Sequence, residues 1–313
     1  MTPDTIPREL LSQRLAVKTH ALNKRFGKTQ ALAGLNLTVP EQSFYVLVGP
    51  NGAGKSTTIR ILLDVLRADA GVAEVFGVDT RRGAAVRAQI GWVPDRHDTL
   101  YTWMPAGALM ASHARYYPTW DHEYATKLAR EFAIDPARKL NRMSKGEVRR
   151  VQLILVLAHR PKLLLLDEPT DGLDPGAREN VLGILAQHIS DCEATVLVAT
   201  HLVYEMERLA DHIGVLADSR LKAQMRREDL DMRMRSYSLN VSEDWQDSHP
   251  AMQGLVILRK NARQREMQCL IWGEEQHVVG QLAASGATVR DVKGVTLEDA
   301  AIALMTSTTG ERE

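Results

Sequence analysis

LLLLDEPTDGLD, Leu163 to Asp174, sets four leucines directly against Asp167 and Glu168 and follows them with Asp171 and Asp174. An apolar run without alternation reads as a strand covered on both faces, which means a parallel sheet with helices packed above and below. Ligands of such sheets collect at the carboxyl ends of the strands. Asp167 and Glu168 therefore stand where chemistry is expected. Two adjacent, uncompensated carboxylates repel each other, so the chain must bring positive charge to them.

That charge is found upstream, in GPNGAGKST, Gly49 to Thr57. The stretch fits the phosphate-binding pattern G-x-x-x-x-G-K-[ST], with a strand expected before it (FYVLVG, Phe44 to Gly49) and a helix after it (STTIRILLDVL, Ser56 to Leu66). Gly49, Gly52 and Gly54, with Pro50, Asn51 and Ala53 between them, let backbone N–H groups turn inward and make an anion nest at a helix N-terminus. Lys55 adds a mobile charge for the β- and γ-phosphates, and Ser56 and Thr57 supply hydroxyls, the first able to ligate Mg²⁺. Asp167 is then placed to hold that Mg²⁺ through water. Glu168, one step further out, can polarise a water for in-line attack on the γ-phosphate.

Bulk properties exclude several alternatives. The chain of 313 residues has room for about two domains, by a prior of roughly 150 residues each. Its net charge is zero, so no basic field recruits nucleic acid. Cys192 and Cys269 lack metal-ligand spacing and read as reduced thiols of a cytoplasmic protein. The opening MTPDTIPRELLSQ lacks the basic end and apolar core of a signal peptide. The longest apolar run, near Leu153 to Ala158, is too short to span a bilayer.

Strands alternate with helical patterns along the chain: QIGWVP, PKLLLLDEP, ATVLVAT and IGVLAD as strands, with GARENVLGILAQHI and VYEMERLA as helices. Trp103 to Ala158 is mainly helical and reads as an insert, and IGVLAD reads as the last strand of the nucleotide unit. Beyond Leu221 the sequence becomes charged, and SYSLNVS, GLVILRK, MQCLIW, HVVGQLAAS and TLEDAAIALM suggest a small α+β domain.

With these motifs in order, the sequence resembles the nucleotide-binding subunits of ABC transporters over roughly residues 15–222. MSKGE, Met143 to Glu147, resembles the family signature about twenty residues before LLLLDEP; Ser144 and Gly146 there would present a hydroxyl and a positive helix end to phosphate. DGLD, Asp171 to Asp174, resembles the loop lining the dimer interface, and His201 resembles the switch histidine that contacts the γ-phosphate. Phe26 stands where the family stacks an aromatic on adenine. The resemblance implies a P-loop NTPase fold: a mainly parallel sheet, an antiparallel β subdomain, a helical insert over about residues 95–158, and an accessory α+β domain over 223–313. It also implies an ATPase that uses ATP and Mg²⁺, pairs head to tail with a second protomer, and works with membrane permease subunits on the inner face of the membrane. SKG, YYPTWD (Tyr116 to Asp121) and the ending GVTLEDAAIALM resemble the ABC-2-type exporter branch.

The sequence departs from the family in two places. Asp95 stands where the family often has glutamine, in a loop that reaches both the metal and the membrane subunit; Asp is an oxygen donor, but shorter and charged. Lys145 and Glu147 replace a glycine and a glutamine of the signature, Lys145 adding attraction to phosphate and Glu147 opposing it. The movement would pass to permeases through the segment from Asp95 to Ala114. A soluble ABC ATPase acting on nucleic acid or ribosomes is the rival reading, weakened by a single phosphate loop, no heptad run and no basic stripe. A third reading makes the tail a regulatory sensor. Cargo, direction of transport, and homo- or heterodimer stay open.

Overall fold

The computed structural model describes residues 14–95, 101–242, 245, 249–263 and 265–306. Residues 1–13, read above for a targeting signal, and residues 96–100 of the expected coupling segment lie outside the described residues.

Five buried strands run parallel at the centre in the spatial order His212–Ala217, Phe44–Val48, Thr195–Thr200, Leu163–Asp167, Ile90–Val93. The four leucines behave as their lack of alternation requires. Leu163 and Leu165 enter one core, with Tyr45, Leu47 and the phosphate-loop helix Lys55–Leu62; Leu164 and Leu166 enter the other, with Val46, Leu128 and Phe132. All four are fully buried, and each such side chain contributes about 1.5–3 kcal/mol relative to exposure.

An antiparallel sheet built on Leu15–Phe26, Thr29–Leu35 and Ala70–Val75 covers the first core. The helical insert covers the second with Ala106–Ala114, His122–Glu131 and Lys145–Leu157. Asp121 caps the middle helix by accepting the Tyr124 N–H, and Ser144 caps the last.

IGVLAD is not the last strand of the central sheet. Arg220–Arg226 adds an antiparallel edge to His212–Ala217. Arg220, Lys222 and Arg226 disguise it, while Ala223, Gln224 and Met225 are buried. Asp218 and Ser219 both take positive φ, 49° and 63°, as a tight hairpin needs, and the Gln224 amide oxygen accepts from the Thr38 N–H and hydroxyl. This strand runs across residue 222. The helix expected over Val203 to Ala210 is shorter, Val203–Met206. The phosphate-loop helix also stops early, where Asp64 adopts φ 56°.

The remaining strands form an antiparallel sheet in the order Val256–Arg263, Glu266–Trp272, Met234–Asn240, Thr288–Gly294, with the helix Glu275–Ala284 over a core of Tyr237, Ile271 and Leu282. The last helix, Leu297–Thr306, returns to the main body: Leu297, Ala300 and Leu304 join the same core as Met206 and Val215. Glu207 fixes the return, accepting the Leu297 N–H at 3.0 Å while facing Arg227 at 3.3 Å.

Candidate functional site

Strand register brings the expected residues together. Val48 pairs with Thr200, and Asp167 pairs with Ala199, so the residues that follow, Gly49, Glu168 and His201, leave the sheet at the same edge. A cleft of about 400 Å³ lies there, lined by Asn51, Gly52, Gly54, Lys55, Ser56, Thr57, Asp95, Asp167, Glu168, Asp171 and His201. A larger groove of about 970 Å³, by Arg14, Asp211 and Arg227, contains none of the phosphate-loop residues and none of the carboxylates above.

The loop needs its glycines. A Cβ on Gly49 would lie 2.1 Å from the Leu216 carbonyl oxygen, and Gly54, at φ 112°, would put one 2.5 Å from that of Ala31. Lys55 is buried and its ammonium donates to the carbonyls of Gly49 at 2.7 Å and Pro50 at 3.2 Å. Glu168 Oε1 lies 4.0 Å away. Burial pulls the Lys55 pKa down, and the charges of Glu168, Asp167 and Asp95 oppose that pull. The Ala53 N–H donates to Pro50, closing the loop.

Asp167 ends its strand almost wholly buried. Burial pushes its carboxyl above the usual range, the nearby Ser56 hydroxyl acts against this, and the like charges of Asp95 and Glu168 add to it. One of its oxygens, Oδ1, is buried without a partner. An oxygen in that state beside a serine hydroxyl fits a hard divalent cation such as Mg²⁺. Among the described residues no cluster of three or more His, Cys, Asp or Glu side chains could hold a metal unaided, so phosphate oxygens would have to complete the shell.

Glu168 sits at φ 48°, a left-handed conformation uncommon for a side-chain-bearing residue and often found at working sites. Its N–H donates to Ala199. Its carboxylate accepts from the Thr200 hydroxyl at 2.8 Å and the His201 N–H at 3.0 Å, and faces His201 Nδ1 at 2.8 Å. His201 itself is exposed, so the pair is anchored on one side and open on the other.

Six expected binding residues do not line this cleft: Gly49, Pro50 and Ala53 of the phosphate loop, and, away from that loop, Ser144, Gly146 and Phe26. Ser144 is exposed at the start of its helix, and Gly146 lies against the loop of Asp171 to Asp174, where a Cβ would come 3.0 Å from the Gly172 carbonyl oxygen. Phe26 is half-exposed at a hairpin tip with the Lys24 ammonium 5.5 Å from its ring centre. Glu147 closes a capping box with Ser144 and pairs with Arg138, and the Ser144 N–H holds its carboxyl below the usual range.

Sequence reading missed two buried charges next to the cleft. Arg149 donates to the carbonyls of Pro94 and Asp95. Glu205 accepts from the Thr170 hydroxyl, pairs with Arg178 at 3.0 Å, and takes the Tyr204 hydroxyl at 3.2 Å. In the sequence Arg149 stands among Lys145, Glu147 and Arg150, and Glu205 beside Glu207 and Arg208, so nothing singles either out.

Comparison with known proteins agrees with this geometry. A family profile described as "ABC transporter" matches residues 32–171. The chain is 30% identical over 205 residues to the ABC transporter ATP-binding protein YtrB of Bacillus subtilis, covering 66% of this chain and 70% of that protein. It is 38% identical over 219 residues to the daunorubicin/doxorubicin resistance ATP-binding protein DrrA of Streptomyces peucetius, covering 67% of this chain and 64% of that one. A solved ATP-binding subunit of an ABC transporter matches with a TM-score of 0.63 and 26% identity, over 69% of this chain and 91% of that chain. The chain belongs to the ATP-binding, ATP-hydrolysing subunits of ABC transporters.

Proposed function

We propose that two copies of this fold, identical or related, close head to tail around two ATP molecules and thereby drive separate membrane subunits of an exporter. The observation that carries this reading is the separation within one chain: Ser144 and Gly146 do not line the cleft that holds Lys55, Asp167 and Glu168. Exposed Ser144 at a capped helix N-terminus is suited to phosphate from a neighbouring protomer. Closure would follow because ATP gains contacts on a second face that the open state lacks. Export is supported by the similarity to DrrA, whose name assigns it to drug resistance.

Within each site, the phosphate-loop amides and Lys55 hold the β- and γ-phosphates, and Phe26 stacks on adenine. Glu168 takes the proton of the attacking water, with Thr200 and His201 holding the carboxylate in line. Ser56 and Asp167 would hold Mg²⁺, which when bound offsets charge building on the transferred phosphoryl group. Asp95, which lines the same cleft, would offer a further oxygen donor. The nucleotide-binding unit runs past the expected boundary at 222, because the edge strand Arg220–Arg226 completes its sheet and Leu297–Thr306 packs into its core; the four-stranded sheet between them is the accessory segment. Among the described residues no helix is long and apolar enough to cross a membrane, and we place the protein on the inner face of the membrane through its permease partners.

Glu168→Gln with ATP tests the pairing. Size-exclusion chromatography should show a nucleotide-dependent dimer, with membrane association only when permeases are co-expressed. A chain that stays monomeric with ATP bound, or that sediments with ribosomes, would overturn the reading.

A further inference from the structure

Arg149 is among the largest fully buried side chains of the protein. A guanidinium removed from water is costly unless compensated. Among the described residues no carboxylate lies within 4.0 Å of it. Its two terminal nitrogens instead take two successive backbone carbonyls, Nη1 that of Pro94 at 2.5 Å and Nη2 that of Asp95 at 2.8 Å. The charges it feels most are those of Asp95, Asp171, Asp167 and Glu168, all carboxylates of the ATP cleft.

Arg149 stands little more than one turn into the helix that Ser144 caps. One rigid element therefore carries the signature at its tip and a grip on the Asp95 loop at its side. Because the grip is on the backbone, the Asp95 carboxylate is left to line the cleft, where it acts on Lys55 and Asp167. Aspartate at this place, where relatives of the resembled family carry a neutral amide, adds a third negative charge beside Asp167 and Glu168. The buried cation offsets it. A lysine could not reproduce this, since its single ammonium lacks the planar fork that reaches two carbonyls at once.

We propose that Arg149 is a positioning residue for ATP hydrolysis, a clamp that moves the Asp95 loop with the signature helix and balances the Asp95 charge. Engagement of Ser144 by the partner's nucleotide then sets Asp95 in this protomer's own site. This rests on the ATP-hydrolysing cleft proposed above.

The test is steady-state ATPase activity of the full chain, with ATP affinity measured separately by a fluorescent ATP analogue without Mg²⁺, for Arg149→Gln, Arg149→Lys, Asp95→Gln and the Arg149→Gln/Asp95→Gln pair. Arg149→Gln should lower kcat on the order of 10–100-fold, the scale set by misplacement of a catalytic centre. Analogue affinity should stay within about two-fold, and Asp95→Gln in the same chain should recover several-fold of the lost rate, a coupling that a purely structural role would not give. Should Arg149→Gln fail to fold, Arg149→Lys carries the test: it keeps the charge without the fork, so kcat should still fall about ten-fold or more while analogue affinity stays within about two-fold. A kcat within about two-fold of the parent, or losses that multiply without coupling, would overturn the clamp. Unchanged analogue affinity in Lys55→Ala, measured alongside, would instead sink the cleft assignment.

Discussion

His201 Nδ1 stands 2.8 Å from Glu168 Oε1, and the His201 N–H donates to the same oxygen at 3.0 Å. The histidine thus holds the glutamate with both ring and backbone, while Thr200 takes the other oxygen. Glu168→Gln should keep ATP binding and lose about 10²–10⁴-fold in turnover, the range for a general base. His201→Ala should lose less, because the backbone N–H and Thr200 remain. Phosphate release under saturating ATP distinguishes the two, and near-normal hydrolysis by Glu168→Gln would remove it as the base.

Lys55 is the cation closest to the phosphate loop's own carbonyls. Lys55→Ala should weaken ATP binding by roughly 10–100-fold, equivalent to about 1.4–2.7 kcal/mol. Equilibrium binding of a labelled ATP is the measurement.

His159 is buried against Tyr117, with ring centres 4.1 Å apart, and burial pushes its pKa from 6.5 down to about 4. The native state therefore binds this proton less readily than the unfolded chain. Its contribution to stability is complete above pH 6.5 and is lost as pH falls toward 4. Thermal midpoints of His159→Phe should fall less steeply than those of the parent between these limits. Parallel curves would show that His159 is not the acid-sensitive group.

Glu205 is a fully buried carboxylate joining the short helix after His201 to Thr170 and Arg178. Removing it strands Arg178 and the Thr170 hydroxyl. Glu205→Ala should cost about 3–5 kcal/mol, the usual penalty for breaking a buried pair. Urea unfolding would read this directly, and a loss below about 1 kcal/mol would mean water replaces the carboxylate.

Much of this site was legible because its parts depend on local sequence. The phosphate loop needs glycine where no Cβ fits, and Leu163 to Leu166 need two cores, so both show in the residue types themselves. Arg149 and Glu205 were not legible. Their roles depend on which segments meet in space, and a charge inside a helix looks the same whether it faces solvent or a loop many residues away. Arg220–Arg226 escaped for a related reason: basic residues stand on an edge that tolerates them, and the buried Ala223, Gln224 and Met225 follow one another without the alternation that marks a strand.

The Glu207 link to Leu297 and Arg227 has a practical consequence. A chain cut after residue 222 would strip the shelter from Met206 and Val215, leaving greasy surface on the very segment that positions His201. Such a fragment should precipitate or lose catalytic competence, even though Lys55, Ser56, Asp167, Glu168 and His201 all survive the cut.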